Sequence, residues 1–103
     1  MIKILLACNA GMSTSLLVEN MKKAAQEKGL EIEIKAVGAS SVRLEMLKEQ
    51  GWQVVLLGPQ VRYELKRIQK AADPIPVDVI DTRDYGLMNG KSVLEKALAL
   101  LEK

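Results

Sequence analysis

Ile2-Lys3-Ile4-Leu5-Leu6-Ala7-Cys8-Asn9-Ala10-Gly11-Met12-Ser13-Thr14-Ser15 is the stretch that decides the fold. Residues 2–7 are an apolar run of the β type, and the run stops at Cys8-Asn9-Ala10-Gly11. Near-continuous hydrophobicity of this kind suits a parallel strand covered on both faces. From Ser13, an N-cap candidate, the pattern turns helical. Leu17, Met21, Ala24 and Lys28 then share one stripe, and Gly29 supplies the stop.

The rest of the chain repeats this alternation. Residues 31–37, EIEIKAV, alternate as a strand with one more exposed face. A short helix is expected over 41–50, ended by Gly51, and a second buried strand over 53–57, halted at Gly58-Pro59. A third helix is expected over 61–72, with Val61, Leu65, Ile68 and Ala72 facing inward. Pro74 and Pro76 precede the last strand, 77–80. A turn over 81–89 leads to a terminal helix whose stripe is Leu94, Ala97, Leu98 and Leu101.

Strand and helix thus alternate four times across 1–103, which predicts a single three-layer α/β domain. Its core is a four-stranded parallel sheet with helices on both faces and right-handed crossovers. The expected strand order is 2-1-3-4, a flavodoxin-like order shortened to four strands. Sheets of this kind bind ligands at the carboxyl ends of their strands, here the loops that begin at Cys8, Gly38, Gly58 and Asp81.

Composition excludes several functions. Lys and Arg total 15 against 13 for Asp and Glu, a net charge of +2 that is too small and scattered for nucleic-acid binding. Aromatic residues are 3% with no Phe, which argues against a base-stacking surface. Histidine is absent, which removes His general bases, phosphohistidine and the commonest zinc sites; neither metal nor cofactor is expected. One cysteine excludes an internal disulfide and fits a reducing cytosol. The apolar runs are far short of a membrane span, and the stretch before Cys8 is too short and too charged for a lipoprotein signal. A cytoplasmic protein is expected.

The first loop carries the chemistry. Gly11 lets the backbone approach a ligand closely, and the amides entering the helix point at one spot, where the helix dipole favours negative charge. Ser13, Thr14 and Ser15 add hydroxyl donors, so residues 9–15 form an anion cradle suited to phosphate. Cys8 stands at its mouth, where the same field favours an exposed, nucleophilic thiolate. Walker A and dinucleotide fingerprints are missing. Cysteine phosphatases place Arg six positions after the nucleophile, and here that position holds Thr14. Loss of that clamp removes roughly 10³ in rate or more, by analogy with arginine fingers. The site therefore suits holding a phosphoryl group on sulfur better than hydrolysing it. A small cysteine-dependent phosphatase and a non-catalytic anion- or partner-binding module are the alternatives.

Three segments now carry a family resemblance: Cys-Asn-Ala-Gly-Met-Ser-Thr-Ser-Leu-Leu-Val at 8–18, Leu-Leu-Gly-Pro-Gln at 56–60, and Val-Ile-Asp with Tyr-Gly within 79–86. They resemble the enzyme IIB component of the bacterial phosphoenolpyruvate-dependent sugar phosphotransferase system, of the lactose/cellobiose (chitobiose) group. The likeness covers essentially the whole chain and shows no departure at the cysteine. It implies that Cys8 takes a phosphoryl group from the phosphohistidine of a IIA partner. Cys8 would then pass it to a sugar, a β-linked disaccharide such as cellobiose or chitobiose, carried by a membrane-embedded IIC partner. It also implies peripheral association with the inner membrane face through IIC.

Secondary candidates surround this site. The Gln60 amide can hydrogen-bond a phosphoryl oxygen or serve a surface loop. A carboxylate beside a dianion is unfavourable, so Asp81 reads foremost as a cap or turn residue. Tyr85 reads as packing before partner contact. Met12 with Leu16 offers an exposed docking patch or, equally, a core cover. Arg62, Lys66 and Arg67 form a basic helical face, most often simply solvated.

Overall fold

The computed structural model describes residues 1–8 and 14–102, without the side chains of Thr14, Ser41 and Leu44. Its strands are β1 (Ile2–Cys8), β2 (Ile32–Gly38), β3 (Val54–Leu57) and β4 (Val77–Val79). Its α-helices are α1 (Thr14–Glu27), α2 (Leu44–Gln50), α3 (Leu65–Ala72), α4 (Thr82–Gly86) and α5 (Gly90–Leu101). The strands form one parallel sheet in the order β2-β1-β3-β4, as expected.

Hydrophobic patterning explains the layers. Residues 4–8 of β1 and all of β3 are buried, because both strands are central and covered on both faces. β2 lies at the sheet edge, and of its residues Ile34 alone is buried. Side chains alternate across each strand. Ile4 and Leu6 meet Leu17 and Met21 of α1, and Val93, Leu94 and Ala97 of α5. Leu5 and Ala7 meet Leu47 of α2, and Ile68 and Ala72 of α3. Each fully buried Leu or Ile contributes on the order of 2 kcal/mol relative to exposure.

Helix boundaries differ from the sequence reading where loops leave the sheet. The helix expected over 41–50 is a single 3₁₀ turn at Ala39–Ser41 followed by α2. The helix expected from Val61 begins as 3₁₀ turns over Pro59–Glu64, broken at Val61 (φ −116°, ψ 22°), before α3. The buried Val61 side chain anchors this segment under the sheet edge. The turn over 81–89 contains α4, because Asp81 Oδ1 accepts from the amides of Arg83 and Asp84 at 2.9 and 3.3 Å. Gly29 and Gly51, at φ 70° and 73°, follow α1 and α2 in the left-handed conformation their stop signals require.

The turn between α4 and α5 is held from several sides. Asn89 Oδ1 accepts from the Ser92 amide at 3.1 Å, Ser92 Oγ donates to Asp84 Oδ2 at 2.9 Å, and Asn20 Nδ2 of α1 donates to the Met88 carbonyl at 2.8 Å. At Gly90, α5 starts directly against α1. A Cβ there would lie 2.3 Å from the Asn20 carbonyl carbon and 2.4 Å from the Met21 nitrogen. Both are backbone atoms that cannot rotate away. Gly90→Ala is expected to lower stability by about 3 kcal/mol, the upper range for overpacking, read as a lower urea midpoint at unchanged slope. Wild-type stability in that variant would contradict the close helix approach.

Candidate functional site

The sheet ladder places four residues in one row at the carboxyl end. Cys8 pairs with Gly38 across β1 and β2. On its other side Gly58 follows Leu57, the partner of Ala7, and the Gly58 amide donates to the Ala7 carbonyl at 2.8 Å. Ile80 continues the row, its amide donating to the Leu57 carbonyl at 2.8 Å. The single cysteine is thus flanked by two glycines. Neither lateral neighbour has a side chain to crowd the sulfur.

Cys8 is 3% exposed and belongs to the core cluster shared by α1 and α5. This corrects the exposed thiolate expected from the sequence: the last residue of a central strand remains under the helices that cover the sheet. Cys8 still borders a pocket of about 220 Å³, lined also by Gly38, Ala39, Ser40, Val61, Tyr63 and Glu64. Access to Cys8 from that side runs through this opening.

The sequence reading missed most of that lining. Glu64 and Tyr63 lie in the 3₁₀ segment after β3, Ala39 and Ser40 in the turn after β2, and only the strand order brings them together. Arg67 ties the two loops. Its Nε donates to Glu64 Oε1 at 3.0 Å, and one terminal nitrogen donates to the Ala39 carbonyl at 3.0 Å and to Glu64 Oε2 at 3.3 Å. Arg67 is therefore not part of a merely solvated basic face. Its three-residue offset from the oppositely charged Glu64 is the signal the sequence carried.

The remaining candidates divide clearly. Asn9, Ala10, Gly11, Met12 and Ser13 lie outside the described residues, as does the side chain of Thr14. Ser15 is exposed at the start of α1, and Leu16 beside it is 56% exposed. Asp81 caps α4, the role preferred for it. Tyr85 packs in the α1–α5 core cluster and also borders a second, open pocket with Pro59, Gln60, Arg62, Thr82 and Gly86. Gln60 is exposed, with its Oε1 close to the Gly58 backbone. Among the described residues, no three His, Cys, Asp or Glu side chains gather as a metal site, and no helix is long and apolar enough to cross a membrane.

The geometry has a reactivity consequence. Iodoacetamide is expected to modify Cys8 at least tenfold more slowly in the folded protein than in urea, and a bulky maleimide is expected to show a larger ratio, since burial limits access. Equal rates in the two states would contradict the burial.

The family described as "PTS system, Lactose/Cellobiose specific IIB subunit" matches residues 3–96. An oligo-beta-mannoside-specific EIIB component of a PTS system from Bacillus subtilis is 48% identical over 101 residues, covering 96% of this chain and 95% of that protein. A galactose-specific EIIB component from Lactococcus lactis subsp. cremoris is 46% identical, covering 95% and 94%. Among solved structures, the solution structure of a cellobiose-specific phosphotransferase IIB component from Borrelia burgdorferi superposes with a TM-score of 0.76 at 41% identity. That match covers 98% of this chain and 92% of the other.

Proposed function

The chain belongs to the lactose/cellobiose-specific IIB subunits of the sugar phosphotransferase system, and from that premise we propose that Cys8 is its phosphoryl carrier. The family role is sugar phosphotransfer. The observation that supports Cys8 is its place at the end of the central strand, between Gly38 and Gly58, beside an opening of about 220 Å³.

The chemistry requires two displacements at phosphorus. The Cys8 thiolate attacks the phosphoryl group on a histidine nitrogen of the IIA partner. An S–P bond forms, the N–P bond breaks, and the imidazole keeps the electron pair. A hydroxyl oxygen of the sugar held by the membrane-embedded IIC partner then attacks the same phosphorus, which breaks the S–P bond and returns the thiolate. The hydroxyl proton goes to a base on the IIC partner that holds the sugar. Residues 9–15 would supply amide and hydroxyl donors to the phosphoryl oxygens in both steps.

The partners reach Cys8 through the opening that it borders. The two relatives carry the names of different sugars, oligo-beta-mannoside and galactose. That variety supports a carrier that leaves sugar choice to IIC. The substrate proposed here is a β-linked disaccharide such as cellobiose or chitobiose, and the site of action the cytoplasmic face of the membrane, through IIC.

Incubation with phosphoenolpyruvate and the general and IIA phosphotransfer proteins is expected to add one phosphoryl group, mapped to Cys8 by intact-mass and peptide spectrometry. Cys8→Ser is expected to take up none and to abolish sugar phosphorylation while melting near the wild-type temperature. Rapid multiple turnover of an aryl phosphate by the isolated chain would instead identify a phosphatase.

A further inference from the structure

Gly58 has φ −62° and ψ 148°, an extended conformation open to any residue. Its lack of a side chain is therefore not a matter of torsion. A Cβ at this position would lie 3.2 Å from Cys8 Sγ, 3.6 Å from Cys8 Cβ and 3.0 Å from Gln60 Oε1. Space explains the glycine. The volume it leaves is bordered by the sulfur on one side and the Gln60 amide on another. Pro59 and the hydrogen bond from the Val61 amide to the Gly58 carbonyl, 3.0 Å, shape the turn that brings residue 60 back over residue 58.

The pocket toward β2 holds the Glu64 carboxylate, half-buried and paired with Arg67. On the Gly58 side of the sulfur the neutral Gln60 amide borders the same space, and Gln60 also lines a groove with Arg62. A glutamine amide carries an acceptor and two donors on a terminal torsion with a broad profile. It can face a thiol with its oxygen and, after rotation, donate from nitrogen to a phosphoryl oxygen.

We propose that Gln60 is a phosphoryl-contacting residue, donating from Nε2 to the phosphoryl group on Cys8 across the side that Gly58 leaves without a side chain. This role rests on Cys8 being the carrier. Gln60 is exposed, so its substitution is expected to leave the melting temperature unchanged.

Two measurements test it on the full chain. The first is the rate of Cys8 phosphorylation by phosphoenolpyruvate with the general and IIA proteins. Gln60→Ala is expected to slow it about tenfold, and Gln60→Glu about a hundredfold, because the latter places a like charge on the incoming dianion. The second needs no partner: the ratio of Cys8 alkylation rates by anionic iodoacetate and neutral iodoacetamide. Gln60→Glu is expected to lower that ratio about fivefold and Gln60→Ala to leave it near wild type. A wild type that accepts phosphoryl beside Gln60 variants that accept it equally fast overturns the role of Gln60 alone, whatever the reagent ratio. An unchanged reagent ratio in Gln60→Glu also overturns it. A wild type that takes up no phosphoryl group overturns the carrier function and this role together.

Discussion

The hydrogen-bond ladder on both sides of β1 is the constraint from which the site follows. β1 pairs with β2 along its whole length, ending at Cys8 and Gly38, and with β3 up to Ala7 and Leu57. A parallel strand bonded on both sides cannot slip by one residue without turning its buried side chains to the wrong face. Ile4, Leu6 and Cys8 therefore face α1 and α5, while Leu5 and Ala7 face α2 and α3. The position of the sulfur is a consequence of core packing several residues away. Loops need only supply what surrounds it.

What surrounds it is arranged by opposing demands. Glycines at 38 and 58 leave room on either side of the sulfur, and a negative group there needs donors and no bare carboxylate. The acids of the loops after β3 and β4 are committed elsewhere. Asp81 spends its carboxylate on the first amides of α4, and Glu64 is held by Arg67. Arg67 in turn fixes the Ala39 carbonyl, so one cation joins the loops after β2 and β3. An exposed ion pair of this kind contributes little to stability, up to about 1 kcal/mol. Its effect is on where the loop sits.

Family membership and the physical reading point to the same class of activity, phosphotransfer. The absence of histidine, the Thr14 that stands where a phosphatase has arginine, and the cysteine at a strand end were chemical arguments for carrying rather than hydrolysing phosphate. A match over residues 3–96 assigns the chain to phosphotransfer components without reference to those arguments.

The sequence by itself determined the strand–helix alternation and the identity of the nucleophile candidate. Each is encoded locally, in runs such as ILLA and VVLL, in the stops at Gly29 and Gly51, and in one cysteine beside a glycine- and hydroxyl-rich turn. Short segments misread from local pattern, such as the helix expected from Val61, failed because Pro59 and the buried Val61 side chain bend the chain under the sheet edge. Only the tertiary structure decided that Cys8 is covered, that Glu64 and Ser40 share its pocket, and that Gly58 separates its sulfur from Gln60. These residues lie far apart along the chain and meet through parallel crossovers. Their proximity depends on register and loop packing, which no local spacing records.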